Sequence, residues 1–305
     1  MSSITIHHDR ARERWAWTLL TPVRAYLRWT PLQRGRYWIA RYLIFPLFST
    51  GAARVEFGDG VQMHLDYESA VCRQILMLGA FEPAEIREVT STAVAGTAVI
   101  DVGANVGFFT AAVAAHRPDV RVLAIEPLAA NLASLEDLVQ SSSLSNVAVF
   151  ATAVGATPGY AHFETPADGA FARVTGDTAD ESSESTWPVV TLDSVWQDAG
   201  RPEVSVVKID VEGYEGDVLK GAGELLESQS PVLMLEANDA VGWRCELDDG
   251  RPVVDGDVHR RCAVDMCSVL MSLRRPGSSP AGTNATHHTT DDGQRIAAGG
   301  HLPSL

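Results

Sequence analysis

The chain has 305 residues, 46% of them apolar and 21% charged, with a net charge of −15. This length and apolar fraction suit one large globular domain with extensions. So large an excess of acid argues against a general nucleic-acid binder, which carries a basic footprint. The charge is unevenly spread: residues 1–50 hold eight Arg, no Lys and only Asp9 and Glu13, a balance of +6 that leaves −21 on the other 255 residues. The four cysteines, Cys72, Cys245, Cys262 and Cys267, include no CxxC pair. Isolated thiols in a reducing cytoplasm are therefore expected rather than a disulfide framework. No charged-then-apolar leader with a small-residue cleavage site is visible, and a cytoplasmic location is the expectation.

Residues 9–48 are rich in Arg and aromatics, among them Trp15, Trp17, Tyr26, Trp29 and Trp38, and Pro22, Pro31 and Pro46 divide them into short helices. The apolar run 38–45 is too short to span a bilayer, which needs roughly 20 apolar residues. The segment reads as a helical cap whose aromatics pack on the domain while its Arg stems reach outward. Peripheral contact with an anionic membrane is the alternative.

Next, 53–66 reads as a hairpin around Gly58-Asp59-Gly60, followed by a helical stretch from about 69 to 92. From Ala98 onward apolar runs alternate with helical ones. Strands are predicted at 98–102, 120–125, 147–154, 204–209 and 232–235, and helices at 108–116, 131–140 and 214–226. That alternation predicts an α/β fold, a mostly parallel sheet with helices on both faces. Between Gly155 and Trp196 it breaks, with strands at 160–164 and 187–192 around a polar loop, 177–185. After Asp239 the signal decays, and 274–305 have the composition of a disordered tail. The expected division is a basic, aromatic helical extension over 1–50, a main domain over 51–240 and a divergent or disordered tail over 241–305.

The stretch Asp101-Val102-Gly103-Ala104-Asn105-Val106-Gly107 stands at a strand-to-helix turn, where doubly wound sheets bind ligands. Glycines there let the backbone approach a ligand and adopt angles closed to other residues. Asp101, at the strand's end, is placed to accept a hydrogen bond from an amino group. The dinucleotide fingerprint would need glycine at 105 and 108, where Asn105 and Phe108 stand, and no Gly-Lys-Ser/Thr follows to make a phosphate loop. Taken alone, an ordinary tight turn is the plain alternative. Glu126 ends the next strand, 19 residues after Gly107, where an acid can take both ribose hydroxyls of an adenosine. The two features together fit an adenosine ligand, and an acidic site tolerates a cationic sulfonium better than a pyrophosphate.

A third cluster, Lys208-Ile209-Asp210-Val211-Glu212-Gly213-Tyr214-Glu215, follows a buried strand at the same edge of the sheet. Asp210 and Glu212 are candidates to take the proton of an acceptor hydroxyl, or to hold a divalent metal that lowers its pKa. Acids at a helix N-terminus, favoured by the dipole by roughly 0.3–1 kcal/mol, are the equal alternative. His64, His116 and His162 each stand alone and read as surface or packing residues. His259, Cys262 and Cys267 lack a fourth spaced ligand for zinc.

With these motifs the chain resembles the FkbM family of methyltransferases. The matching pieces are Asp101–Gly107, Glu126-Pro127, Thr191-Leu192-Asp193 and Lys208–Glu215 with Leu219, Gly221 and Ala222 after it, together with the lead-in Leu78-Gly79-Ala80-Phe81-Glu82-Pro83. The resemblance covers about residues 50–238. It implies a Rossmann-like class I methyltransferase fold, S-adenosylmethionine as methyl donor, and O-methylation of a hydroxyl on a saccharide or small natural product. It implies Asp101, Gly103, Asn105 and Gly107 at the methionine end of the donor and Glu126 at its ribose. It also implies Asp210 and Glu212 near the reaction centre, as base, metal ligand or structural acid. One departure stands out. A class I sheet closes with an antiparallel hairpin after its fifth parallel strand, yet residues 244–305 show no clear pair of strands, 269–273 being one weak candidate. An incomplete sheet edge is expected there, which would expose an edge strand and remove part of the acceptor pocket. A non-catalytic or weakly active donor-binding protein is the alternative reading.

Overall fold

The computed structural model describes residues 5–8, 15, 18–19, 21–29, 52–56, 61–66, 82–164, 173–178, 186–211, 213–237, 243–248, 251–256 and 267–272. Ahead of the main sheet lie β1 (Thr5–His8), α1 (Thr21–Trp29), β2 (Ala52–Glu56) and β3 (Gln62–Asp66). The predicted hairpin is present: β2 and β3 pair antiparallel from Ala52↔Asp66 to Glu56↔Gln62. Strand β1 joins the other side of β2, within the segment read as a helical extension. The β-branched Thr5-Ile6 and the open edge of β2 favour a strand there. Pro22 sits in the first turn of α1, where its missing N–H costs no helical bond. Trp15, Leu19 and Tyr26 are 71%, 75% and 53% exposed rather than packed on the domain.

The remaining elements are α2 (Pro83–Thr92), β4 (Ala98–Val102), α3 (Phe108–His116), β5 (Arg121–Ile125), α4 (Ala129–Ser141), β6 (Val147–Phe150), β7 (Ala153–Val154), β8 (Gly159–Glu164), β9 (Arg173–Thr178), β10 (Thr186–Val190), α5 (Leu192–Asp198), β11 (Val204–Ile209), α6 (Glu215–Lys220), α7 (Gly223–Gln229), β12 (Val232–Ala237), β13 (Trp243–Asp248), β14 (Arg251–Gly256) and β15 (Cys267–Ser272). The helix expected from about residue 69 is seen over Pro83–Thr92; 67–81 lie outside the described residues, as do 179–185 of the polar loop.

The main sheet has the order β15-β12-β11-β4-β5-β6. Its first-to-last parallel run, β12-β11-β4-β5-β6, has parallel pairing throughout. Every residue of β4 is buried, as a strand covered on both faces must be; that is why such strands read as continuous apolar runs. On one face Val99, Val122, Val206 and Met234 pack with Val89 of α2 and Phe109 and Val113 of α3. On the other, Ile100, Leu123, Val207 and Leu233 pack with Trp196 of α5, Leu219 of α6 and Leu225 of α7. Each large aliphatic side chain so buried contributes roughly 1.5–3 kcal/mol. This is the Rossmann-like α/β sandwich that the alternation predicts.

Three local features depart from the sequence reading. The single strand expected over 147–154 is two, β6 in the main sheet and β7 in a second sheet of order β7-β10-β8-β9; the Thr152 N–H bonds the Phe150 carbonyl at 3.1 Å and turns the chain between them. The helix expected over 214–226 is likewise two, α6 and α7, broken at Gly221. Helix α5 was not expected. Thr191 starts it, its Oγ1 accepting the Ser194 N–H at 3.1 Å, and the Trp196 indole N–H anchors it to the Pro202 carbonyl at 2.8 Å.

At the C-terminal edge three strands lie among the described residues. β15 overlaps the weak candidate at 269–273 and pairs antiparallel with β12 from Val232↔Ser272 to Ala237↔Cys267. β13 and β14 form a hairpin that stands apart as a two-stranded sheet. Pro252 within β14 hides that strand from pattern reading, since proline interrupts a ladder.

Candidate active-site crevice

From β4 the sheet runs outward through β5 and β6 on one side and through β11 and β12 on the other. The reversal between β4 and β11 makes a crevice at their carboxyl ends, the place where doubly wound sheets bind ligands. Asp101, Asn105, Glu126, Lys208 and Asp210 from the three sequence clusters stand at these strand ends.

Asp101 of β4 lies in register with Lys208 of β11. Asp101 is fully buried. The Thr110 hydroxyl donates to its Oδ2 at 2.6 Å, and the Lys208 ammonium stands 3.5 Å from its Oδ1. Lys208 also donates to Asp210 Oδ2 at 3.1 Å and lies 4.8 Å over the Phe109 ring. Burial alone would lower the Lys208 pKa; the carboxylates of Asp210, Asp101 and Glu82 outweigh it and hold the pKa well above the usual lysine value. The ammonium stays charged, tying β4 to the exit of β11. Asp210 remains about one-fifth exposed at its side chain, and its N–H bonds the Val102 carbonyl at 3.0 Å.

Glu82 completes this cluster. It precedes Pro83 at the start of α2, in a left-handed conformation with φ 43 and no side-chain cap bond. It is 8% exposed, and its Oε2 is buried without a hydrogen-bond partner. Burial, above all, raises its pKa to about 7; Lys208 opposes the rise while Asp210, Glu85 and Asp101 add to it. In the sequence Glu82 stands only in the family lead-in. An acid before proline at a helix start, in an otherwise apolar stretch, was the signal available to find it.

On the β5 side Glu126 is 4% exposed and bound three times over. The Asn105 N–H donates to its Oε2 at 2.9 Å. The Leu128 N–H and the Asn131 amide donate to its Oε1 at 3.0 and 3.1 Å. Burial raises its pKa, and these three donors pull against the rise. The loop that presents Asn105 needs two glycines for different reasons. At Gly103 (φ +83) a Cβ would run into the Asp210 carbonyl, so the β4 turn and the β11 exit are in direct contact. At Gly107 (φ +88) a Cβ would lie 2.6 Å from Leu135 Cδ1, so that glycine seats α4 against the turn.

Glu212 lies outside the described residues. Glu215 is buried at the start of α6, its Oε1 accepting the Gly213 N–H at 2.9 Å. Burial raises its pKa, and backbone donors oppose the rise. Thr191-Leu192-Asp193 does not face the crevice chemistry: Asp193 accepts the N–H groups of Leu225 and Glu224 at 2.9 and 3.0 Å and caps α7. Among the described residues no group of three or more His, Cys, Asp or Glu side chains is placed to hold a metal ion, and Asp210 already faces an ammonium. His259 and Cys262 lie outside the described residues.

A family model described as the methyltransferase FkbM domain matches residues 101–248. This stretch is similar to the methyltransferase FkbM domain. Its matched span begins at Asp101 and takes in Glu126, Asp193, Lys208 and Asp210. No curated protein matches the chain. Among solved structures, the FkbM methyltransferase of Methylobacillus flagellatus is 22% identical with a TM-score of 0.36, over 56% of this chain and 42% of that one. The precorrin-6y C5,15-methyltransferase of Geobacter metallireducens is 15% identical with a TM-score of 0.30, over 52% and 63%. A SAM-dependent methyltransferase of Agrobacterium tumefaciens is 9% identical with a TM-score of 0.34, over 62% and 54%. The aligned part thus spans less than two thirds of each of these proteins. The fold of this chain rests on its own strand order.

Proposed function

We propose that the chain is an S-adenosylmethionine-dependent methyltransferase acting on a hydroxyl of a saccharide or small natural product. The observation that carries this reading is the carboxylate of Glu126, held at the end of β5 by the turn that follows β4. A carboxylate offers about four lone-pair sites. Three are taken, which leaves Oε2 one site for a ribose hydroxyl; a second hydroxyl would displace one of the internal donors. The acid-rich crevice suits a cationic ligand, and Gly103 and Asn105 border it. The fit with the donor is therefore good, Asp101 acting through Lys208 and Thr110 rather than by open contact.

When bound, S-adenosylmethionine would supply a methyl carbon activated by its sulfonium. Attack by a hydroxyl oxygen makes an oxonium far more acidic than the alcohol, so a carboxylate suffices to take the proton. Asp210, partly exposed and held by Lys208, is assigned that role, with Glu212 two residues on as the second candidate. We assign donor and acceptor sites to the 51–240 domain and place the protein in the cytoplasm, with no nucleic-acid partner. Among the described residues no helix is long and apolar enough to cross a membrane. The +6 charge of residues 1–50 and the exposed Trp15, Leu19 and Tyr26 support peripheral contact with anionic lipid. Failure to sediment with anionic vesicles at low salt would sink that contact.

The reading is tested by titrating S-adenosylmethionine into the full chain by calorimetry, beside Glu126→Ala and Asp101→Ala variants checked for folding by circular dichroism. Saturable binding by the wild type, lost in the folded Glu126→Ala protein, is expected. No binding by the wild type overturns the reading. The second reading, a donor-binding protein without turnover, is favoured by β13 and β14 standing apart from the main sheet. Binding without methyl transfer to any hydroxylated acceptor would select it.

A further inference from the structure

The crevice holds more buried acid than it has cation to match. Lys208 is the one buried ammonium among the described residues, and it is already shared by Asp101 and Asp210. Glu82 is the third carboxyl in its reach. Its Oε2 is buried and accepts no hydrogen bond. A buried carboxylate oxygen that accepts no hydrogen bond, beside a cation already shared by two other acids, is costly, and the usual escape is to keep the proton.

We propose that Glu82 carries a proton in the free protein and gives it up to solvent when a cationic group of the methyl donor settles beside it, so that donor binding and proton release are one coupled event. This rests on the reading of S-adenosylmethionine as donor. In the step the Glu82 O–H bond breaks, the electron pair stays on the carboxylate, and the proton passes to water or buffer; no oxidant or reductant is involved. The incoming positive charge restores the balance that Lys208 alone cannot supply. Oε2, without a partner before, then faces one.

The groups that set the proton's affinity are few. Lys208 of β11 favours its loss. Asp210 after β11, Asp101 of β4 and Glu85 of α2 itself favour its retention, and burial does so most. Helix α3, packed on α2, contributes no charge at this end. Its Arg117 donates to the Thr90 and Ala93 carbonyls at the far end of α2, at 2.6 and 2.7 Å. The nearby ring of Phe109 faces Lys208 instead.

The test is calorimetric titration of S-adenosylmethionine into the full chain at pH 6.0 and pH 8.5, each in two buffers of different ionisation enthalpy. The dependence of the observed heat on buffer counts the protons released. For the wild type close to one proton per donor is expected at pH 6.0 and close to none at pH 8.5. Affinity should tighten about fivefold between pH 6 and pH 7 and about twofold more by pH 8, and level off above. Glu82→Gln, which copies the shape of the protonated acid, should bind with no release and an affinity that hardly changes with pH. Heats independent of buffer at pH 6.0 in a wild type that binds would overturn the inference and leave the donor reading standing. So would a Glu82→Gln protein that still releases the proton. No binding by the wild type at either pH overturns both.

Discussion

The two sides of the crevice handle buried acid in opposite ways. On the β5 side Glu126 is met by two backbone N–H groups and the Asn131 amide, so its charge is cradled before any ligand arrives. On the β11 side Asp101 and Asp210 share Lys208; Glu82 Oε2 and Asp101 Oδ1 are both buried without a hydrogen bond, the latter facing the ammonium at 3.5 Å. One side is preorganised by local backbone geometry. The other is balanced by a single long-range cation and leaves a charge for something else to answer. Hydrogen-bond donors from a turn are cheap to supply at a strand end; a second buried ammonium is not.

The sharpest way to break the comparison is Lys208→Met. Asp101 is fully buried and would lose its cation, so a loss of about 3–5 kcal/mol is expected in urea denaturation; a loss below about 1 kcal/mol would mean that the cluster is not held by charge. Next in size is the pH dependence of Glu82. Its pKa is about 7 when folded against an ordinary 4.5. Between these values the folded state holds the extra proton, so stability contributed by Glu82 is complete below pH 4.5 and is lost as pH rises through 7. Thermal and urea melts of Glu82→Gln should gain roughly 2–3 kcal/mol on the wild type between pH 4.5 and pH 8. A constant offset across that range would speak against the protonated acid.

Asp193→Ala should cost about 1–2 kcal/mol by uncapping α7 yet leave donor affinity within about threefold, since it touches neither side of the crevice. Affinity falling with stability would merge the family motif with the site. The smallest effect is expected from Asn131→Ala, a loss of about 1 kcal/mol or less. Because it frees a lone pair on Glu126 for a ribose hydroxyl, donor affinity measured by calorimetry should hold or tighten slightly. A tenfold loss would assign Asn131 a direct contact.

Much of the fold was legible. β4, α3 and β11 fall at the residues predicted, since strands buried on both faces and the helices between them leave long apolar runs. The splits of 147–154 and 214–226 were not legible, because a two-residue turn at Thr152 and a break at Gly221 leave the apolar pattern intact. Of the site, Asp101, Glu126 and the Lys208–Asp210 pair stood out through position at strand ends. Glu82 did not, because it stands at a helix start beside Glu85, Arg87 and Glu88, where an acid reads as a solvated helix residue.

By itself the sequence determined the α/β alternation, the acidic strand ends and the family they resemble, because hydrophobic period and turn chemistry are local properties. Only the tertiary structure decided which acids are satisfied and which are not. Desolvation and Coulomb energy depend on burial and distance, and those bring Glu82 to Lys208 across 126 residues of chain.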